Sequence, residues 1–135
     1  MTVQLHCFGE SGNAYKAALT LELTGINWAP VFVDFFGGQM RSDAYRELNI
    51  MAEAPLLIDG DFKLSQSGAI QQWAVDQSGR LGGVLEDKYE VLRWILFDNH
   101  KMSSQAGITR FLLNFLPKDK RPHEAIKFVQ SRMIG

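Results

Sequence analysis

The chain has 135 residues, of which 46% are hydrophobic and 21% charged, an ordinary balance for a soluble globular protein. Its net charge of -1 gives no reason to expect nucleic acid or an acidic membrane as a partner, and no apolar run is long enough to span a bilayer. The single cysteine, Cys7, excludes an internal disulfide, and the histidine spacing predicts no metal site. The single cysteine fits a reducing, cytoplasmic setting best, and no secretory signal is recognisable.

The first eighty residues alternate between strand and helix patterns. In chain order the pattern predicts a strand at 3–8, a helix at 14–24, a strand at 28–35, a helix at 40–48, strands at 55–58 and 61–64, and a helix at 66–77. Gly25 ends the first helix, and Pro30 puts the start of the second strand at a sheet edge or outside the ladder. Asp59-Gly60 predicts a hairpin with a type I′ turn.

Two helices have a predicted inward face. In the first helix it is mostly apolar and comprises Tyr15, Ala18, Leu19, Glu22 and Leu23. In the last helix of this region it comprises Ile70, Trp73 and Ala74. The order β-α-β-α-β-β-α predicts an α/β fold with a parallel pair, an added hairpin and a mixed four-stranded sheet with helices on both faces, which is a thioredoxin-like layout.

The rest of the chain has a different character. Three glycines at 78–86 indicate a linker, and 87–115 reads as one long helix with Gly107 as the predicted bend. A further helix is predicted at 122–133. Two helices bury little core, so this region is interpreted as the start of an all-helical domain. The predicted domains are residues 1–80 and 86–135.

Three loci of the first region can carry chemistry. Ser11 and Asn13 lie where the first strand meets the first helix, and a helix N-terminus stabilises a thiolate. No cysteine lies at 11–14, so the thiol must come from a ligand, to which a hydroxyl or an amide can donate. The alternative is that both residues only cap the helix, which is their commonest role.

The other two loci flank the predicted hairpin. Pro55 precedes it, and a cis Ala54–Pro55 bond leaves the backbone of Ala54 able to pair with an extended peptide. Gln66 and Ser67 begin the following helix, where hydroxyls and backbone N–H groups form a carboxylate site. Helix capping is again the alternative for this third locus.

Together, Ser-x-Asn-x-x-Lys after a strand, a proline before a hairpin and Gln-Ser-x-Ala-Ile after it resemble the glutathione transferase superfamily, notably its serine-type bacterial, zeta-like and nu-like members. The resemblance covers residues 3–80 well and continues loosely through 86–135. It implies a thioredoxin-like domain followed by an all-α domain, usually in a homodimer. The implied activity is attack of the glutathione thiolate, with glutathione as co-substrate, on an electrophilic small molecule in detoxification.

The resemblance also assigns roles to seven residues. Ser11 and Asn13 match donors to the glutathione sulfur, and Ala54 and Pro55 match the pair that meets its cysteinyl part. Gln66 and Ser67 match the γ-glutamyl site, and Glu53 matches a position that approaches the glycyl end. No motif fixes which basic residue near 41–46 binds the glycyl carboxylate.

The sequence departs from the family pattern in several places. Ala52 replaces a usual glycine before the proline, and Trp73-Ala74 replaces the usual Tyr-Leu. Phe8 stands where tyrosine-type members have tyrosine, Tyr15 being interpreted as packing inside the helix, and the cysteine of cysteine-type members is missing at the turn. Family members continue through several more helices, so the chain is interpreted as truncated within its second domain. Two other functions remain open: a non-catalytic binding or assembly module, and a glutathione-dependent peroxidase or dehalogenase.

Overall fold

The computed structural model describes residues 2–134, so the outer ends of the two predicted domains, residues 1 and 135, lie outside it. The strands are β1 Val3–Cys7, β2 Trp28–Phe32, β3 Leu56–Asp59 and β4 Phe62–Ser65. The α-helices are α1 Gly12–Thr24, α2 Asp43–Leu48, α3 Ser67–Ser78, α4 Lys88–Phe97, α5 Ser104–Asn114 and α6 His123–Ile134. The chain divides into two compact units, Met1–Lys88 and Tyr89–Gly135.

The four strands form one sheet in the order β2-β1-β3-β4. β1 runs parallel to β2 and antiparallel to β3, which pairs antiparallel with β4. The predicted mixed α/β sheet is therefore confirmed. Pro30 lies within the β2 ladder opposite Leu5, and β2 is an edge strand, where a missing N–H costs no ladder bond.

The hairpin is confirmed, but its turn lies one residue later than predicted. Asp59 pairs with Phe62, so the two-residue loop is Gly60-Asp61. Only Gly60 has positive φ, at 60°, which is the pattern of a type II′ turn rather than type I′. The glycine stands first in the loop, and the aspartate is spared a left-handed conformation.

The core of the first unit lies between the sheet and the helix pair α1 and α3. Its members alternate along the strands and recur at helical spacing: Val3, Leu5, Ala17, Leu21, Leu57, Ile70 and Ala74. α1 ends at Gly25 in the left-handed conformation, as predicted, with its N–H donated to the Glu22 carbonyl. The predicted inner face of α3 is also confirmed, since Ile70 and Ala74 are buried and Trp73 packs against the core.

The predicted inner face of α1 is wrong except at Ala18, which is partly buried and packs against the core. Its buried positions are Ala14, Ala17, Thr20, Leu21 and Thr24, whereas Leu19 and Leu23 are exposed and Tyr15 is 67% exposed. Apart from Leu21, the buried side chains are small and let α1 approach its neighbours closely, so Tyr15, Leu19 and Leu23 turn outward. Tyr15 is therefore not a packing residue.

The second unit is helical, and only Thr109 and Ile126 are buried among its described residues. The expected single helix at 87–115 is instead α4, a π-helical stretch at Asp98–Ser103 and α5, without a break between them. The irregularity therefore lies at 98–103, and Gly107 lies within regular α5. No helix between residues 2 and 134 combines the length and apolarity needed to cross a membrane.

Candidate functional site

An open cleft lies at the N-terminal ends of α1 and α3 in the first unit. It brings together six of the seven residues singled out in the sequence: Asn13, Glu53, Ala54, Pro55, Gln66 and Ser67. Ser11, the seventh, does not line it. Residues separated by more than fifty positions meet here because β1 and β3 are neighbours in the sheet.

The loop before β3 is held by two side chains that the sequence reading did not single out. The carbonyl oxygen of Glu53 accepts hydrogen bonds from Asn49 Nδ2 at 2.8 Å and from the Tyr45 hydroxyl at 3.0 Å. Asn49 is buried, and its Oδ1 accepts from the Met51 N–H at 3.1 Å. An asparagine at the end of a short helix, just before an irregular loop, was the available signal.

The same loop shows what replaces the family's usual glycine. Ala52 has a φ of 52°, in the left-handed region that glycine adopts without strain and alanine does not. The loop therefore keeps a glycine-type turn, and the hydrogen bonds of Asn49 oppose the strain. The Ala54–Pro55 peptide bond that follows is cis, as the resemblance implied.

Capping is wrong as the explanation of the residues that begin α3. Gln66 is the N-cap residue, but no side chain caps the helix there. Its Nε2 instead donates to Glu53 Oε2 at 2.9 Å and contacts Met51 Sδ at 3.2 Å. The φ of Gln66 is 73°, a strained value for a residue with a side chain. A helix end without a side-chain cap has N–H groups available to an anion.

Ser67 connects the start of α3 to the start of α1. It is buried, and its Oγ donates to Asn13 Oδ1 across 3.3 Å. With its oxygen engaged in this way, the Asn13 amide can act through its Nδ2 as a donor. Both helices thus present their positive N-terminal ends at one cleft.

Ser11 does cap a helix, as the alternative interpretation predicted. It is the N-cap of α1, and its Oγ accepts from the Ala14 N–H at 3.1 Å. A hydroxyl that accepts one hydrogen bond can still donate its own hydrogen. Capping and donation to a ligand are therefore compatible at Ser11.

Burial shifts the pKa of two side chains on β1, Cys7 and His6. Burial raises the pKa of the Cys7 thiol, although a backbone hydrogen bond at Val31 opposes this shift. A protonated thiol is a poor nucleophile, so the protein's own cysteine does not replace a ligand thiol. Burial lowers the pKa of His6, whose Nε2 finds no hydrogen-bond partner within residues 2–134. In the same range, no group of three potential metal ligands occurs.

Comparison with known proteins finds one matching family and several similar proteins. The model of the family described as "Glutathione S-transferase, N-terminal domain" matches residues 1–76. Glutathione S-transferase F10 of Arabidopsis thaliana is 28% identical over 85 residues, which cover 59% of this chain and 40% of that protein.

Two solved structures are similar over nearly the whole chain. A possible glutathione S-transferase from Rhodopseudomonas palustris has a TM-score of 0.88 at 26% identity, covering 99% of this chain and 67% of that one. A glutathione transferase from Burkholderia graminis, solved with two glutathione molecules bound per subunit, has a TM-score of 0.85 at 23% identity, covering 98% and 57%. The matched part of this chain thus spans 40% to 67% of the length of these three proteins.

Proposed function

This chain belongs to the glutathione S-transferase family, and from that premise we propose that it binds glutathione in the cleft and activates its thiolate for attack on an electrophilic small molecule. The observation that carries the proposal is the meeting of Asn13, Ala54, Gln66 and Ser67 around one cleft, beside two helix N-termini. Glutathione is a peptide with a thiol and a terminal carboxylate, and these residues offer hydrogen-bonding groups to both.

The γ-glutamyl end of glutathione is assigned to the start of α3. Ser67, Gln66 and the uncapped N-terminus of α3 together offer donors to its carboxylate. The sequence reading set Glu53 near the glycyl end, but its contact with Gln66 favours the γ-glutamyl ammonium as its partner. A carboxylate beside an ammonium is the complementary arrangement.

The cysteinyl part of glutathione is assigned to the loop before β3. The backbone of Ala54 offers strand-like pairing, and Pro55 fixes the direction of the chain there. This arrangement directs the ligand's sulfur toward the N-terminus of α1, where Ser11 and Asn13 lie. All seven residues thereby receive a role in one bound ligand.

Activation of the thiol requires a moderate electrostatic contribution. A free thiol has a pKa of about 8.5, and lowering it by about two units corresponds to about 2.7 kcal/mol. A hydrogen bond to a charged group contributes about 1.5–3 kcal/mol, and the N-terminus of α1 adds to it. Asn13 lines the cleft and Ser11 does not, so we assign the larger share to Asn13. Holding thiolate and electrophile together supplies further acceleration.

The remaining parts of the proposal concern the setting of the site. Residues 1–80 are proposed as the glutathione-binding domain and 86–135 as part of the family's all-helical domain, in a cytoplasmic homodimer that serves detoxification. Several apolar side chains of the second unit are exposed, among them Tyr89, Trp94 and Phe128, and are available for burial by a second copy.

A non-catalytic binding or assembly module is the second candidate, favoured by the same apolar surface and by the strained Ala52. Retention on glutathione-agarose, followed by an assay with an activated aryl halide, separates the two. A transferase is retained, is eluted by free glutathione and conjugates the halide. A module with a spoiled site flows through, and a module with an intact site is retained but does not conjugate.

A further inference from the structure

Met51 stands directly beside the cleft without lining it. Its Sδ accepts from Gln66 Nε2 at 3.2 Å and from Ser65 Oγ at 3.4 Å. The same Gln66 amide donates to Glu53 Oε2 at 2.9 Å. One thioether therefore touches the side chain that closes the α3 end of the cleft, together with the residue before it.

The position of this sulfur is fixed by the backbone around it. The Met51 N–H is bound to Asn49 Oδ1, and Asn49 also holds the carbonyl of Glu53. Ala52, the next residue, adopts a left-handed conformation, which is sparsely populated for alanine and persists only where the surrounding structure holds it. The Met51 side chain can respond to a change at its sulfur, but the loop beneath it has little freedom to move away.

Met51 is also reachable, since 54% of the residue is exposed. We propose that Met51 is a peroxide-oxidised site whose sulfoxide displaces Gln66 and thereby weakens ligand binding in the cleft. A sulfur lone pair attacks one oxygen of hydrogen peroxide or an organic hydroperoxide, the O–O bond breaks, and water or an alcohol leaves as the S–O bond forms. The methionine is oxidised by two electrons, and the peroxide is reduced by two.

The geometry sets the consequence of this reaction. An oxygen bonded to Sδ and directed along either contact would lie far inside hydrogen-bond distance of Gln66 Nε2 or Ser65 Oγ. A sulfoxide oxygen is also a far stronger acceptor than a thioether, so the second N–H of the Gln66 amide follows the new oxygen, and the amide shifts from its present place beside Glu53. The predicted effect on glutathione rests on the proposed function, whereas the displacement of Gln66 does not.

The competing thiol is poorly placed to take the oxidant. Cys7 is half-buried, and burial raises the pKa of its thiol, which keeps the thiolate fraction low. Met102, in the second unit, is 46% exposed and so resembles Met51 in accessibility. It serves as the matched control because it belongs to the second unit, whereas the cleft residues belong to the first.

The test uses three full-length proteins: the wild type, Met51→Leu and Met102→Leu. Each is treated with hydrogen peroxide, and peptide mass spectrometry locates the added oxygen. Amide hydrogen exchange is then measured in each treated protein. We expect Met51 to gain one oxygen, and exchange at 49–55 and 62–70 to accelerate in the wild type and Met102→Leu but not in Met51→Leu. The glutathione dissociation constant should rise about tenfold in the same two proteins, as for the loss of one hydrogen bond to a charged ligand group.

Two results overturn the inference: Met51 stays unoxidised while Met102 is converted, or Met51 is converted with exchange unchanged. If the untreated wild type binds no glutathione, the proposed function fails, and the exchange measurement still decides the role of Met51. Leucine has a similar volume at this half-exposed position, so the variant is expected to fold.

Discussion

Ser67 Oγ donates a hydrogen bond to Asn13 Oδ1 across 3.3 Å and 54 positions of sequence. This contact joins the first turns of α3 and α1, the two helix ends that face the cleft. It also fixes the direction of the Asn13 amide, whose nitrogen is then the group available to a ligand. In the proposed function, one hydroxyl therefore affects both the γ-glutamyl site and the thiol site.

The first prediction concerns the thiol pKa of bound glutathione. Replacing Asn13 by Ala should raise that pKa by about one unit, because a donor to the thiolate is lost. Ser11→Gly should raise it by less; glycine is chosen because it weakens the α1 cap by only a few tenths of a kcal/mol. The measurement is a pH titration of thiolate absorbance in the complex. An unchanged pKa in both variants would remove these residues from thiol activation.

The second prediction concerns backbone strain at Ala52. Ala52→Gly should raise the free energy of unfolding by about 1 kcal/mol, because glycine adopts a positive φ without steric conflict. Ala106→Gly is the matched control: it lies exposed in α5 and should lower stability by about 1 kcal/mol. Chemical denaturation measures both. A destabilised Ala52→Gly would show that the alanine is not strained.

The contrast between α1 and α3 shows how far the sequence predicts this fold. Element order, sheet type and the inner face of α3 follow from periodicity, since Ile70 and Ala74 are both apolar and buried. In α1 the same rule selects Leu19 and Leu23, yet the helix buries Ala14 and Ala17. Hydrophobicity alone cannot anticipate a close approach, which favours small side chains over large ones.

The candidate site is likewise predictable only in part. The resemblance assigned seven residues, six of which line one cleft, but spacing alone leaves Ser11 and Ser67 as equal candidates for capping. The structure separates them, because Ser11 caps α1 and Ser67 bonds to Asn13. The supporting role of Asn49 depends on a buried contact to a distant carbonyl, which no local pattern encodes.

The third prediction is a pH dependence of stability caused by His6. Burial lowers its pKa in the folded state, so at mildly acidic pH the unfolded chain binds more protons there than the native chain does. This contribution to stability is present above the unfolded pKa of about 6.5 and is lost as the pH falls through and below it.

Urea denaturation between about pH 7.5 and pH 5 measures this dependence. His6→Gln should flatten the fall in stability, because the group whose pKa burial lowers is then absent. Equal slopes in the wild type and His6→Gln would contradict the assignment.

The fourth prediction compares two buried threonines. Thr109 Oγ1 has no hydrogen-bond partner anywhere in residues 2–134, so Thr109→Val should stabilise the protein by about 1 kcal/mol. Thr24 is equally buried, but its hydroxyl donates to the Thr20 carbonyl at 2.7 Å, so Thr24→Val should destabilise by about 1 kcal/mol. Denaturant midpoints at constant slope measure the pair. Shifts of the same sign would contradict the account.

Glutathione recognition is tested most simply by calorimetric titration of the chain with glutathione, repeated with Ser67→Ala and with the control Ser131→Ala, whose hydroxyl donates to the Phe128 carbonyl of its own helix. We expect saturable binding, a dissociation constant about tenfold higher in Ser67→Ala, and no change in Ser131→Ala. No binding by a folded wild type, or equal affinity in all three proteins, would contradict glutathione recognition at the start of α3.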